Sequence, residues 1–499
     1  MCNMSQENKD NIQSFEVTAG GVSGDLISAR RQERRLKVGL LAGGYFEYWR
    51  MYEGLRDDVE RDMQHIADRL SEYCELIYPG MVDTLDKSDA AGVLFKEENV
   101  DMIIIAQGTY MVDYLVHQGL LHIQESTPLL LFASQKHQTL DDSGGYKASL
   151  QNSGPMGVIQ FACGLHKMKK FMNYEVVVGA IDDPQVYKDI AMHIKIREII
   201  MNLRFWNIGI IGHILRGMYD FQYDKTDVTG KLGPHIMDIE IKHLSRILDE
   251  ISLDDERVTE IVQKAKNEYQ ISGLTDIDLQ RGARLGVAFK ELIKQYKLDG
   301  LALLGQHFIE VQAQTTCYLG LAEVLSNDLA MAVTEGDVLG LIVSKVMKDL
   351  TGINPFFGEW EEIYVELNAV LLLGHGFIDP RTARKDRPVK LQRACEEWGF
   401  EGNAPGFQAT LPPGPVTVAH IINHGSDWKL LVSEGTIPDL PPIEISESTV
   451  VVEVSKPVRE YFREILLRGF SHHAIAVPGA IGCQLEAFAR QLDIEVHWI

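Results

Sequence analysis

The chain has 499 residues, in which 48 lysines and arginines face 71 aspartates and glutamates, so its formal charge is -23. A surface of that sign repels phosphate backbones and anionic lipid headgroups, so we expect neither nucleic acid nor a membrane surface as a partner. Hydrophobic residues make up 45% of the chain, which is typical of a folded globular protein, and the length predicts about three domains.

Residues 1–35 predict an arm outside the folded core. This segment is polar, contains several glycines and ends in the basic sequence RRQERR. Glycines interrupt helices, and a polar sequence buries little apolar surface. We therefore expect either a disordered tail or a strap across a neighbouring subunit.

A first α/β domain is predicted over residues 36–203. Short apolar runs such as KVGLLAG, MIIIAQ and LLLFAS alternate there with helical segments. Continuous apolar runs between helices are typical of a parallel sheet that is covered on both faces. The pattern predicts a doubly wound domain.

The glycine-containing turn LLAGGYFEYW follows the first of these strands. It could cradle a phosphate, but it lacks the GxGxxG pattern, and no GxxxxGK[ST] sequence occurs in the chain. We interpret it as a tight turn between a strand and a helix. Tyr45 lies nearest the strand end and is the aromatic residue that could reach a ligand.

The α/β pattern repeats over residues 204–352, and after Gly352 it changes. Short strands such as VTVAHIINH, WKLLVSEG and STVVVEVS follow one another with Pro and Gly between them. They predict an antiparallel barrel or sandwich over residues 353–499, with two closing helices. The expected class is α/β, with two doubly wound parallel-sheet domains followed by a C-terminal, mainly antiparallel β-barrel domain.

Several protein classes find no support in the motifs. The six cysteines include no CxxC pair and no apolar run could cross a bilayer, so we expect a reduced, cytoplasmic protein. HExxH and GxSxG are absent, which argues against zinc proteases and α/β-hydrolases. His420 and His424 in AHIINHG have metal-like spacing but lie in a strand-like segment, and we interpret them as surface histidines.

The last third of the chain carries five residues of the types that bind metals: Glu335, Glu359, His375, His472 and His473. Each lies where an apolar run gives way to glycine or polar residues, which is where α/β folds place chemical groups. Two carboxylates with two imidazoles suit a divalent cation that keeps positions open for a substrate. Singly, each could instead be a helix cap or a turn residue.

The order of TEGD, FFGEW, LGHG, GPVTVAHIINHGSDWKLLV and SHH resembles the L-arabinose isomerase and L-fucose isomerase superfamily. The resemblance extends over most of residues 36–499. It implies a Mn²⁺ ion, or another divalent metal such as Co²⁺, bound by Glu335, Glu359, His375 and His473. Glu361 or Glu362 remains a possible substitute for Glu359.

The resemblance also implies the reaction and the assembly. The reaction would interconvert an aldose and a ketose of an open-chain sugar through an enediolate, with Glu335 and Glu359 as acid–base catalysts. His472 would contact the sugar. In a homotrimer or homohexamer, the N-terminal domain of one subunit would cover the metal centre of its neighbour and bring Tyr45 to it.

Two alternatives stay open. The first is an isomerase of the same superfamily that acts on L-fucose or another sugar instead of L-arabinose. The second is a sugar-binding or regulatory homologue without catalytic activity, in which two carboxylates facing two imidazoles would serve no purpose.

Overall fold

The computed structural model describes residues 35–139, 144–304, 309–394, 403–441 and 443–499. The predicted arm, residues 1–35, lies outside these ranges except for its last residue. The described chain forms two compact units. The N-terminal unit runs to Met201 and includes Glu486–Asp493, and the C-terminal unit comprises Asn202–Leu485 and Ile494–Ile499.

A five-stranded parallel sheet forms the core of the N-terminal unit, with the order β2-β1-β3-β4-β5. Its strands are β1 Lys37–Gly43, β2 Glu75–Ile77, β3 Met102–Gln107, β4 Leu129–Gln135 and β5 Tyr174–Ala180. Its helices are α1 Leu55–Leu70, α2 Leu85–Glu97, α3 Asp113–Leu120, α4 Gly145–Gln151, α5 Gly154–Met168 and α6 Pro184–Leu203, the last of which runs into the next unit. Every residue of β3 is buried, as its apolar run predicts.

The strand β5 departs from that pattern. The apolar run YEVVVGA predicts a strand that is buried on both faces, but Val176 and Val178 are 47% and 68% exposed. Val176 and Val178 alternate with the buried residues Glu175 and Val177, so one face of β5 is left uncovered within this unit.

The C-terminal unit begins with a four-stranded parallel sheet of order β10-β9-β6-β7. These strands are β6 Asn207–Ile211, β7 His235–Ile239, β9 Gly300–Leu303 and β10 Met331–Thr334. The helices between them are α7 Lys225–Leu232, α8 Ile241–Glu250, α9 Glu256–Glu268, α10 Asp276–Tyr296, α11 Glu310–Ala313 and α12 Tyr318–Ser326. Helix α13, Val338–Thr351, follows β10 and leads to the next sheet.

An antiparallel barrel completes this unit. Its strands are β11 Phe356–Tyr364, β12 Ala369–Gly374, β15 Gly414–His424, β16 Asp427–Ile437, β17 Thr449–Val454 and β18 His473–Pro478. They follow the order β15-β18-β11-β12-β17-β16, and pairing between β15 and β16 closes the barrel. The remaining elements are β19 Glu495–Trp498, parallel to β16, and the helices α14 Val458–Arg468 and α15 Gly482–Gln491.

The predicted fold class is confirmed, since two parallel α/β sheets precede a closed antiparallel barrel. A small sheet of order β14-β13-β8 was not predicted. It pairs β8 Gln270–Ser272 with β13 Lys390–Arg393, which in turn pairs with β14 Pro405–Gln408. Among the described residues, every helix is too short or too polar to span a bilayer.

Candidate metal centre

Three of the four predicted metal ligands lie at strand ends in the C-terminal unit, and the fourth, Glu359, lies within strand β11. Glu335 follows β10, His375 follows β12, and His473 opens β18. Strand β11 lies between β12 and β18 and carries Glu359 directly opposite His473. Directly opposed residues on antiparallel strands present their side chains to the same face, so β11 brings Glu359 to the two histidines.

The measured distances bring these side chains to one point. His473 Nε2 lies 3.3 Å from Glu335 Oε2, and His375 Nε2 lies 4.0 Å from Glu359 Oε2. Glu359, His375 and His473 form one group of donor atoms within 4.8 Å of one another, and Glu335, His472 and His473 form another. Because both groups contain His473, all four predicted ligands surround a single imidazole.

Three potential ligand atoms in this cluster are buried and have no well-aligned hydrogen-bond partner among the described residues: Glu335 Oε2, His375 Nε2 and His473 Nε2. Glu335 Oε2 and His473 Nε2 face each other at 3.3 Å. Glu335 is 1% exposed and His473 is fully buried. An unpaired polar atom in the interior costs about 1–3 kcal/mol, so several at one place need an explanation. A shared divalent cation would satisfy all three, and the residues present therefore fit a metal.

The turn that presents Glu335 has an uncommon backbone conformation. Glu335 has a φ of +62° and Gly336 a φ of +76°, both in the left-handed region. At Gly336 a Cβ atom would lie 2.9 Å from the Cα of Ile214, so a side chain does not fit there. A left-handed conformation at a glutamate costs free energy and is retained mainly at functional sites.

Asp337 connects this turn to His473 and was not singled out in the sequence. Its Oδ1 accepts a hydrogen bond from Gly340 N (2.8 Å) and caps α13. Its Oδ2 lies 2.9 Å from His473 Nδ1 and 2.9 Å from His420 Nε2. A carboxylate on one ring nitrogen orients a histidine so that its other nitrogen can bind a metal.

The prediction that His420 is a surface residue is wrong, because its side chain is 2% exposed. It lies on β15, which closes the barrel and packs against α13, so the middle of this strand is buried. There His420 contacts Asp337. His424, at the end of the same strand, is exposed as predicted.

His472 lies on the accessible side of the cluster. Asp220 Oδ2 lies 2.7 Å from His472 Nδ1 and also accepts from Ser471 Oγ (3.1 Å). His472 Nε2 lies 3.6 Å from Glu359 Oε2 and 3.8 Å from Glu335 Oε2. With 36% of its side chain exposed, His472 is placed where it could meet a molecule entering the site.

Two further sequence predictions concern Glu361, Glu362 and Tyr45. Glu361 and Glu362 are exposed at a bulge in β11, whereas Glu359 lies opposite His473. Tyr45 follows β1 in the N-terminal unit, where it is half-buried and packs edge-on against Tyr110. Its role in ligand binding stays a prediction.

The electrostatics differ among the four candidate ligands. Burial disfavours ionisation of Glu335, but the contact with His473 and the nearby imidazoles lower its pKa, whereas burial raises the pKa of Glu359. Burial lowers the pKa of His375 to about 3. Burial acts on His473 in the same sense, but Asp337 and Glu335 outweigh it and raise its pKa to about 9.

These pKa shifts predict that metal binding releases a proton. In the metal-free protein at pH 7, His473 is below its folded pKa and protonated, whereas His375 is neutral. A cation at His473 Nε2 must displace the proton there, so apparent affinity should rise with pH and level off above about pH 9. Calorimetric titration with Mn²⁺ in buffers of different protonation enthalpy should give about one proton per ion at pH 7. Zero release by the wild-type protein would contradict this prediction.

Asp337 should govern metal affinity through His473. Asp337→Asn keeps an oxygen to cap α13 but cannot accept hydrogen bonds from both histidines, so we expect about 10- to 100-fold weaker metal binding. Calorimetric titration with Mn²⁺ measures this. His424→Ala, at the exposed end of β15, is the matched control and should bind as the wild type does. Equal affinity in Asp337→Asn and wild type would remove this role.

Comparison with known proteins gives one informative match. No protein-family model matches the chain. The chain is 22% identical over 328 residues to the sulfoquinovose isomerase of Alkalicoccus urumqiensis, a match that covers 65% of this chain and 71% of that protein. This similarity supports the predicted assignment of the chain to the sugar isomerases.

Proposed function

We propose that this chain is an aldose–ketose isomerase that acts on an open-chain sugar and requires a divalent metal. The observation that carries the proposal is the meeting of Glu335, Glu359, His375 and His473, three of which present buried ligand atoms with no well-aligned hydrogen-bond partner in the described part of the chain. The similarity to a sulfoquinovose isomerase supports the reaction class.

Glu335, Glu359, His375 and His473 are the residues that would hold the metal. Two carboxylates and two imidazoles suit Mn²⁺, and Co²⁺ is the alternative. When bound, such a cation polarises a carbonyl oxygen and stabilises negative charge that develops on it.

The side chains of the cluster would carry out the proton transfers and contact the sugar. Isomerisation moves one proton between C1 and C2 of the sugar and another between their oxygens. Glu359 has 27% of its side chain exposed, so its carboxylate can reach the carbon-bound proton, remove it and return it to the neighbouring carbon. Glu335 is buried and would transfer the other proton between the oxygens on C1 and C2. His472, held at Nδ1 by Asp220, would direct Nε2 to a sugar hydroxyl.

A substrate panel tests the reaction. The purified protein with added Mn²⁺ is incubated with L-arabinose, L-fucose, sulfoquinovose and other aldoses, and ketose formation is measured. Metal-dependent ketose from any of them supports the proposal. A protein that binds a sugar without metal and converts none would instead be the sugar-binding homologue.

The assembly is a second part of the proposal. We propose a homotrimer or homohexamer in which the N-terminal domain of one subunit, including Tyr45, covers the metal centre of its neighbour. Light scattering after size-exclusion chromatography gives the mass in solution. A fully active monomer would contradict the shared site.

The two neighbouring histidines should behave differently. We expect His473→Ala to weaken Mn²⁺ binding, because it removes a buried ligand, and His472→Ala mainly to raise KM for the sugar. Manganese titration of activity, combined with KM measured at saturating metal, separates the two effects. The same metal dependence in both variants would erase the distinction.

A further inference from the structure

A cation-rich cleft lies elsewhere in the C-terminal unit. Two adjoining cavities of about 290 and 500 Å³ share Arg384, Arg387, Pro388 and Val389 in their walls. Cavities of this size are typical of small-molecule sites. Their walls contain none of the metal-centre residues, so the cleft is a separate feature.

The cations come mainly from one segment, residues 381–390, with the sequence RTARKDRPVK. Five of these ten residues are Lys or Arg, in a chain whose formal charge is -23. Lys264 and Ser326 lie in the wall of the larger cavity as well, and Glu268 is its acidic member. The walls of the two cavities carry six Lys and Arg side chains against three carboxylates, Glu268, Asp386 and Glu444. Lys264 is paired with Glu323.

Acidic partners already neutralise three of the five cations. Arg381 pairs with Asp328 and Asp379, Arg384 pairs with Asp386 and Asp439, and Lys390 pairs with Glu444. These ion pairs balance the positive charges of Arg381, Arg384 and Lys390.

Arg387 and Lys385 are the two cations of the segment that these ion pairs do not include. Within the described ranges, neither has a carboxylate at salt-bridge distance, and Lys385 Nζ donates only to the carbonyl of Arg381 (2.7 Å). Arg387 Nε is buried and has no hydrogen-bond partner among the described residues. A buried guanidinium N–H without an acceptor is costly, and the cleft that it lines offers the space for one.

We propose that this cleft binds the phosphate group of a small metabolite, with Arg387 and Lys385 as its ligands. A guanidinium matches the geometry of phosphate oxygens with parallel N–H groups, and an ammonium adds a point charge. Tyr269, Pro380 and Pro388 line the larger cavity and offer an apolar surface to the rest of the molecule. Inorganic phosphate and a phosphate monoester share this chemistry.

Calorimetric titration of the full-length protein tests the proposal without reference to isomerase activity. The probes are inorganic phosphate and glycerol phosphate, which separate a free anion from a monoester. Arg387→Ala should weaken binding of the preferred probe by about 10- to 100-fold, as expected for a lost charge-assisted hydrogen bond. Lys385→Ala, at an exposed position where substitutions usually change stability little, should weaken it by about tenfold.

The matched control is Arg459→Ala, because Arg459 is an exposed arginine outside the cleft. It should bind the probe as the wild type does. Equal binding by Arg387→Ala, Lys385→Ala and wild type would overturn the proposal, since phosphate would then be bound elsewhere, for example at the metal centre. Absence of saturable binding of both probes to the wild type would overturn it too.

Discussion

Glu335→Gln should fold normally and lose isomerisation by about 10²- to 10⁴-fold in kcat. Glutamine has nearly the shape of glutamate, but it carries no negative charge for a cation and cannot accept a proton. Glu335 is also the most buried carboxylate of the cluster, with His473 Nε2 3.3 Å away, so no solvent can replace it. We therefore expect weaker Mn²⁺ binding together with the loss of turnover.

Three measurements on Glu335→Gln separate these effects. Circular dichroism and thermal unfolding show whether the fold is kept, calorimetry gives the Mn²⁺ affinity, and the ketose assay at saturating metal gives kcat. Glu361 is exposed, and Glu361→Gln provides the control, which should retain wild-type activity. A folded Glu335→Gln protein with kcat within about tenfold of wild type would remove Glu335 from the chemistry.

Glu359→Gln should lose turnover to a similar extent, about 10²- to 10⁴-fold, but with a smaller loss of metal affinity. The reason is its exposure: 27% of the Glu359 side chain is accessible, against 1% for Glu335. An accessible carboxylate can meet the sugar carbon, and Glu335, His375 and His473 would still hold the cation.

Hydrogen exchange at C2 of the sugar checks this assignment. The sugar is incubated in deuterated water with the metal-loaded variant, and deuterium at C1 or C2 is followed by NMR. We expect Glu359→Gln to lose exchange and turnover together. Exchange at the wild-type rate would mean that another group removes the carbon-bound proton.

Much of the fold could be predicted from local patterns. Apolar runs bounded by helices predict the parallel strands, because a strand buried on both faces has no polar position to interrupt it. The run of β3 is an example, with every residue buried. Whether another element covers a given face of a strand has no such local signature, and the exposure of Val176 and Val178 on β5 differs from the prediction for that reason.

The candidate site shows the same division. Glu335, Glu359, His375 and His473 are recognisable by residue type and by their position where apolar runs give way to glycine or polar residues, and the structure brings them together. Asp337 had a local signal, because an aspartate before the apolar helix VLGLIV is a typical N-cap. That signal indicates a cap and gives no hint of the second bond to His473.

Asp220 and His420 had no local signal of their role. Asp220 lies in the loop after β6, 252 residues from His472 in the chain, and only the fold joins them. His420 is buried because β15 packs against α13, a contact that a strand pattern does not contain. Such partners depend on tertiary packing, which propensity and spacing do not encode.

The most direct measurement of the metal centre is anomalous diffraction at the manganese edge, from crystals grown with Mn²⁺. We expect one strong peak per chain, within bonding distance of Glu335, Glu359, His375 and His473, and a weaker peak there in crystals of Glu335→Gln grown at the same Mn²⁺ concentration. Full occupancy of Mn²⁺ at another place in the chain, with these four side chains unliganded, would contradict the proposed isomerase centre.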